Sequence, residues 1–574
     1  METLVRGAAV ALVAAIGYGF CTQGDFKDQC QAALGDARTT INDLFAGFEA
    51  WQIMGLTVCG CIVLDFIINL FFGHEESLFT RTKKGVFRCA RKIPLVQRMV
   101  EKELSKTRAD FEKSLLHKHA HPNGITAMPK EGRKWDDLEK LLQEYAKIGD
   151  PDKRREEGKV SGTIYVGDDD VDTYTDMISK TYAMFAWTNP LHPGVFPGVR
   201  QMEAEVVRMV CDIFNGGPTA CGSVTSGGTE SILLACKSYR DYYHSVRGIT
   251  NPNIVTCTTA HPAFDKACQY LGIHIRKIPM DPKTCRARPS AMRRHIDSNT
   301  IALVGSCPQY PHGCVDPIEE LAAIAKSYGI GLHVDCCLGS FVVPFMRKAG
   351  FDFPSFDFTV DGVTSISADT HKFGYAPKGS SVVMYSFHEL HHAQYSMFPD
   401  WPGGVYGTPT IAGSRSGALV AATWAALVHH GEDGYVKCTQ KIIKAAREIA
   451  EGIKKIPGLR LMCEPDGPVV SWTSDVFDVY RMTHGLIEEH GWDLNVLQFP
   501  PSIHICVTLA HTREGIVESF LNDMAKVAAP LFANPGVKAE GGAAVYGMAQ
   551  SIPDRTIIED VVKTYLDTTY LVPA

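Results

Sequence analysis

The sequence predicts an α/β body on a largely parallel sheet, with a smaller α+β domain after it and a membrane-spanning helix before it. Three observations predict this. Between about 185 and 385, helical spacing alternates with short apolar runs. After about 425 a long helical stretch gives way to strand-like runs, and ahead of everything lie 22 nearly continuous apolar residues, Trp51 to Phe72. At 574 residues the chain exceeds what one hydrophobic core holds.

The apolar segment comes first. As a helix it extends roughly 33 Å, enough to cross a bilayer core of about 30 Å. Asp65 and Asn69 interrupt it, but they are four apart and share one helix face. Arg81, Lys83, Lys84, Arg88, Arg91 and Lys92 follow, whereas the stretch before, Asp25 to Glu49, is acidic on balance. The positive-inside rule then places everything after residue 73 in the cytosol. Ala8 to Phe20 is apolar too, but it is too short to span.

Composition excludes several classes. A net charge of −7 argues against a nucleic-acid binder. The 18 cysteines include no CxxC pair and no His/Cys metal spacing, so no metal site is expected and they read as mostly reduced core residues.

Within the body, Glu203 to Phe214, Glu230 to Tyr243 and Pro317 to Tyr328 read as helices. Ile254 to Thr258, Ile301 to Ser306 and Leu332 to Asp335 read as strands, as do the runs VTSIS and SVVMY. Tyr435 to Ile456 is helical and Ser502 to Leu509 strand-like.

Four features carry the chemistry. Thr225-Ser-Gly-Gly-Thr-Glu230 precedes a strong helix; its glycines admit an anion to unpaired helix amides, with Ser226, Gly228 and Thr229 lining the cradle. It lacks the lysine of a nucleotide-binding P-loop. His261 follows the strand Ile254 to Thr258, and Asp335 ends a buried strand at the edge where open α/β sheets gather ligands. Lys372, with His371 directly before it, lies on the turn between VTSIS and SVVMY. An anion cradle, a buried carboxylate, a histidine and a lysine on a strand turn together describe a pyridoxal 5'-phosphate site. Lys372 bonds the aldehyde, Asp335 pairs with the ring nitrogen and His261 stacks on the ring. At about 4 Å and an effective dielectric near 20, the Asp335 pair is worth roughly 4 kcal/mol, enough to keep that nitrogen protonated.

Longer stretches now point to a family. Ser365-Ile-Ser-Ala-Asp-Thr-His-Lys372, Tyr375-Ala-Pro-Lys-Gly379, NPLHPGVFPG, GGVYGTPTIAGSRSG and LQFPPSIHICVTL resemble the sphingosine-1-phosphate lyases, within the fold-type-I pyridoxal-phosphate enzymes. The similarity runs from about 160 to 550. HVDCC and AGSRSG differ slightly from the family's usual HVDAC and AGSRPG.

The resemblance implies a dimer in the endoplasmic reticulum membrane, single-pass, with its catalytic body in the cytosol. It divides the chain into a non-cytosolic segment (1–50), the span (51–72), a basic stretch and arm (73–185), a large cofactor domain (186–425) and a small domain (426–574). It implies that Lys378, Tyr165, His192 and Arg415 meet the phosphorylated substrate, that Tyr406 assists proton transfer and that Ser414 reaches the cofactor phosphate. The implied reaction is retro-aldol cleavage of a phosphorylated sphingoid base between carbons 2 and 3, with Lys372, His192 or Tyr406 as candidate base. A pyridoxal-dependent amino-acid decarboxylase shares the cofactor residues and stays open as an alternative. So does a catalytically silent membrane scaffold.

Overall fold

The structure, a computed structural model, describes residues 91–117, 120–121, 124–167, 170–537 and 555–573, with a few isolated residues before 91. Most of the proposed span at 51–72 and all of the segment at 8–20 lie outside the described residues. Among the described residues no helix is long and apolar enough to cross a membrane.

The body is organised by a seven-stranded sheet in the order β1-β7-β6-β5-β4-β2-β3. Its strands are β1 (Cys221–Thr225), β2 (Asn253–Cys257), β3 (His274–Ile278), β4 (Thr300–Ser306), β5 (Gly331–Asp335), β6 (Ser365–Ala368) and β7 (Ser381–Tyr385). The pairs β2–β3, β2–β4, β4–β5 and β5–β6 are parallel, whereas β7 runs antiparallel to both β6 and β1. The sheet is thus largely parallel as expected, with one reversed strand. The reversal follows from the connection: residues 369–380 are too few for a helical crossover, so the chain turns back beside β6.

Both faces of the sheet are covered, which is why its strands read as unbroken apolar runs rather than alternating ones. Ile254, Ala302, Val304, Val383 and Tyr385 pack on one face with the helices α4 (Gly228–Arg247) and α5 (Ala263–Leu271), through Tyr239, Tyr243 and Phe264. Their immediate neighbours Val255, Leu303, Val382 and Met384 face the other side, with α3 (Pro197–Ile213) and α6 (Ile318–Tyr328) supplying Val206, Val210 and Leu321.

A second, four-stranded sheet follows in the order β10 (Arg460–Leu461), β11 (Val469–Thr473), β13 (Ser502–Cys506), β12 (Asn495–Leu497). It is backed by α8 (Ile516–Ala533), whose Phe520 meets Trp472 of β11 at 6.0 Å. The helix read from Tyr435 begins far earlier: α7 spans Gly417–Lys454 and is two helices joined at Gly431, whose φ of 55° and ψ of −177° break the spiral. Trp424 on α7 donates to Glu205 on α3 at 2.6 Å.

The helix α9 (Arg555–Thr569) packs instead on α1 (Pro94–Glu112). Phe111 meets Tyr565 edge-on at 5.3 Å, and Arg91 bonds Asp560. Most cysteines are single and buried, as expected, but Cys314 and Cys463 are joined as a disulfide.

Five buried histidines, His312, His333, His391, His504 and His511, are held down to about 4 by burial. Unfolding returns each to about 6.5, so the unfolded chain binds more protons between those values and stability falls as pH drops through that window. Each fully buried histidine contributes up to about 3 kcal/mol to this loss. Asp316, raised to about 6 by burial, opposes it, being a stabilising group only in acid. Melting temperature should therefore drop steeply on going from neutral pH toward about 4. A flat profile across that range would refute the neutral state of these rings.

Candidate active site

Three loops meet at the carboxyl edge of the large sheet because β1, β6 and β5, with the reversed β7 between the first two, all end there. β1 ends at Thr225 and opens into the Ser226–Thr229 turn, β5 ends at Asp335, and β6 runs into the turn that carries Lys372. The register sets Asp335 opposite Ser306 on one side and Ser367 on the other.

A chain of hydroxyls locks these parts together. Thr225 and Ser231 are 2.7 Å apart, Ser231 and Ser381 2.9 Å, and the Ser381 hydroxyl donates to the Ala368 carbonyl at 3.1 Å. The cradle, the start of α4, β7 and the lysine turn are thereby one hydrogen-bonded unit. The turn is stiffened from inside as well. His371 N–H donates to the Ser380 carbonyl at 3.1 Å, and Ser380 N–H donates to His371 Nδ1 at 3.2 Å. Tyr174 and Tyr435 donate to the carbonyls of Tyr375 and Gly374.

Lys372 projects into this edge. Its Nζ lies 2.8 Å from Oδ2 of Asp369, a carboxylate only 2% exposed. Burial works against the Lys372 ammonium, but the Asp369 charge outweighs it and holds the amine well above the usual lysine range. Asp369 is held below the usual carboxylate range by the same pairing with Lys372 and by His371, against the cost of burial. Asp335 accepts the Cys337 N–H at 3.1 Å and the Ser367 hydroxyl at 3.4 Å. Lys378, on the outer part of the turn, stands over the Tyr165 ring at 4.7 Å, within cation–π range, and donates to the His371 carbonyl at 3.4 Å. Desolvation and the Lys372 charge push Lys378 down. Tyr165 also packs edge-on against Phe373.

Other expected residues sit in a second group. Asn189 Nδ2 donates to the Ser414 hydroxyl at 3.1 Å, and its Oδ1 accepts the Arg415 and Leu191 N–H groups. The exposed loop of His192 is thus tied to the Gly-Ser-Arg turn. Tyr406 lies on a small hairpin of β8 (Ser396–Phe398) and β9 (Tyr406–Thr408), its hydroxyl 2.4 Å from where a Gly413 side chain would begin. His261 is exposed beyond the end of β2, two strands from Asp335, with Nδ1 accepting the Ala263 N–H.

Two of the expected residues have partners within the chain. The Arg415 guanidinium is paired with Glu203 on α3. Both the N–H of Ser226, at 2.7 Å, and its hydroxyl, at 2.6 Å, go to Glu230. Glu230 also accepts the Ile411 N–H at 3.0 Å, so it stitches the cradle to the Gly-Ser-Arg turn. Asp369, Glu203 and Glu230 are site residues that the sequence reading passed over.

The pyridoxal-dependent decarboxylase conserved domain matches residues 169–474. A protein of Drosophila melanogaster named sphingosine-1-phosphate lyase is 44% identical over 537 residues, covering 93% of this chain and 97% of that one. The chain belongs to the sphingosine-1-phosphate lyase family. A solved lyase of this name from Burkholderia pseudomallei is 37% identical with a TM-score of 0.69, covering 75% of this chain and 96% of that one. The glutamate decarboxylase of Lactobacillus brevis, at 19% identity and a TM-score of 0.61, covers 73% of this chain and 97% of that one and shares the fold.

Pyridoxal phosphate is the cofactor of this lyase family, and the residues present fit it. A half-buried amine stands beside the Asp369 carboxylate and in the field of the strand-end Asp335, and α4 begins at glycines with no side chain capping its N-terminus. Gly227, at φ 152°, holds a backbone shape that side chains avoid. A Cβ on Gly228 would meet Cys337 Sγ at 2.7 Å and Asp369 Oδ1 at 2.8 Å. Gly228→Ala should therefore cost about 1–3 kcal/mol through overpacking and displace Asp369. Chemical denaturation reads the cost, and a variant as stable as the parent would show that the turn yields.

Proposed function

We propose that the chain cleaves a phosphorylated sphingoid base between carbons 2 and 3, releasing a long-chain aldehyde and phosphoethanolamine. One observation carries the choice over an amino-acid decarboxylase. A single turn presents two amines six residues apart, Lys372 half-buried beside Asp369 and Lys378 exposed over Tyr165. The first suits the cofactor aldehyde, while the second suits an anion on the substrate.

When bound, pyridoxal phosphate supplies an electron sink for the charge left at carbon 2. Gly228, Thr229, His371 and Ser414 would hold its phosphate end, Asp335 would pair with its ring nitrogen and His261 would lie toward its ring. Lys372 Nζ would hold its aldehyde and carry the proton for carbon 2. Lys378 and Tyr165 orient the substrate phosphate. His192 or Tyr406 takes the proton of the carbon-3 hydroxyl.

The membrane and assembly readings rest on different support. The 51–72 segment is apolar and followed by basic residues, and a long alkyl tail favours a bilayer by about 0.8 kcal/mol per methylene. An endoplasmic-reticulum enzyme with its body in the cytosol would meet such a substrate there. On and beside the β8–β9 hairpin, Met397, Phe398, Trp401, Val405 and Ile411 are all more than half exposed. An apolar patch of this kind suits the same face of a second copy, giving a homodimer that would bring Tyr406 and His192 to a shared edge.

The deciding experiment is mass spectrometry of the products from sphingosine 1-phosphate, with and without added cofactor. Cofactor-dependent aldehyde and phosphoethanolamine are expected. Carbon dioxide from an amino-acid panel instead would favour the decarboxylase. Lys372→Ala should abolish turnover and leave the fold intact. Lys378→Ala should raise KM for the phosphorylated base by tenfold or more, on the order of 1.4 kcal/mol. Unchanged handling of phosphorylated and unphosphorylated bases would remove Lys378 from the site.

For the assembly, detergent-solubilised chain should show twice the protomer mass by light scattering, and alkaline carbonate should leave it in the membrane pellet. A monomer, or release into the supernatant, would overturn the corresponding reading.

A further inference from the structure

We propose that Asp369 is a positioning residue: it holds Lys372 as an ammonium aimed at the cradle, so that a proton must leave this pair before the cofactor is captured. The inference rests on the reading that Lys372 takes the cofactor's aldehyde, and it adds the group that controls when it can do so.

The geometry is specific. Asp369 and Lys372 are three residues apart on a turn fixed at both ends, and their charged atoms are 2.8 Å apart. The carboxylate is wedged against the first residue of α4, with both oxygens within 3.0 Å of the space above Gly228. It is thus packed in place rather than free to swing away. Oδ2 holds the lysine, whereas Oδ1 is buried and accepts no hydrogen bond. An anion in this position is costly unless a cation stays beside it.

The surroundings make Asp369 the controlling charge. On the same turn stand His371, with Nε2 3.7 Å from Asp369, and Lys378, whose charge opposes that of Lys372. The end of β5 contributes Cys337 and Asp335, and β13 of the small domain contributes Cys506. Tyr165 faces Asp369 from the arm. Among the described residues only Asp369 makes an ion pair with Lys372.

Capture requires a neutral amine. Lys372 Nζ first yields one proton to solvent through Asp369. Its lone pair then attacks the aldehyde carbon, and the two remaining amine hydrogens leave with the aldehyde oxygen as water while the carbon–nitrogen double bond forms. No oxidant or reductant enters. Because Ser380 N–H occupies His371 Nδ1, the His371 proton sits on Nε2, facing Asp369, and can satisfy the carboxylate once the ammonium is gone.

The test uses the full chain stripped of cofactor. Pyridoxal phosphate is added across a pH series, and the adduct on Lys372 is trapped with borohydride and counted by mass spectrometry. In the parent chain the capture rate should still be rising where free lysine amine has levelled off. Asp369→Asn should move the midpoint to lower pH by about one to three units, and Asp369→Glu should largely restore it. A parent profile that coincides with free lysine overturns the proposal without any variant. So does an Asp369→Asn variant with an unshifted midpoint. If the parent chain traps no adduct on Lys372 at any pH, it is the cofactor reading itself that fails.

Discussion

A lysine ammonium and an aspartate carboxylate share a site at the carboxyl edge of the large sheet, where neither could be kept alone. Without the ammonium, the buried Asp369 carboxylate would have only His371, 3.7 Å away, to answer its charge. The surroundings are consistent with that constraint. The Thr225–Ser231–Ser381 hydroxyls fix the turn relative to the sheet, and Gly228 leaves room for the carboxylate against the start of α4. β7 runs backwards because the lysine turn is short, and that reversal places Ser381 beside Thr225 to close the hydroxyl chain. Chemistry and topology are therefore coupled at this one turn.

The functional residues fall into two sets with different mechanical support. Lys372, His371, Asp335, Lys378 and Tyr165 rest on the sheet and its hydrogen bonds. Ser414, Arg415, Tyr406 and the His192 loop rest on α3 and the Gly-Ser-Arg turn, through Asn189 and Glu203. Glu230 is the bridge between them, taking donors from Ser226 and Ile411. The fold shared with a glutamate decarboxylase shows that this scaffold is not tied to one substrate. Lys378 stands on the outer part of the same turn, bonded to the His371 carbonyl and set over the Tyr165 ring.

Much of this was legible in the sequence. The central strands β2, β4, β5, β6 and β7 stand where their apolar runs put them, because both faces of the sheet are buried, whereas β1, β3 and α5 were not read and α3 begins six residues before Glu203. Lys372, Asp335 and the Gly-Gly turn were legible because each combines a polar group with an element end. Asp369 was not, although it lies three residues before Lys372: a carboxylate in a turn looks solvated until the turn is seen to be buried. The pairing of Arg415 escaped for a different reason, since its partner Glu203 is 212 residues away and no local pattern announces it. The kink at Gly431 escaped as well, because a glycine inside a helical stretch reads as a tolerated weakness rather than a junction.

The pairing of the first described helix with the last has a consequence for synthesis. Arg91 and Asp560 lie 469 residues apart, so α1 emerges from the ribosome long before its partner exists. At roughly 5–20 residues per second, that interval is on the order of half a minute to a minute and a half. Throughout it, Phe111 of α1 lacks the Tyr565 ring it later meets edge-on. The arm is thus made before the sheet it precedes and gains its helical partner only after that sheet has been synthesised.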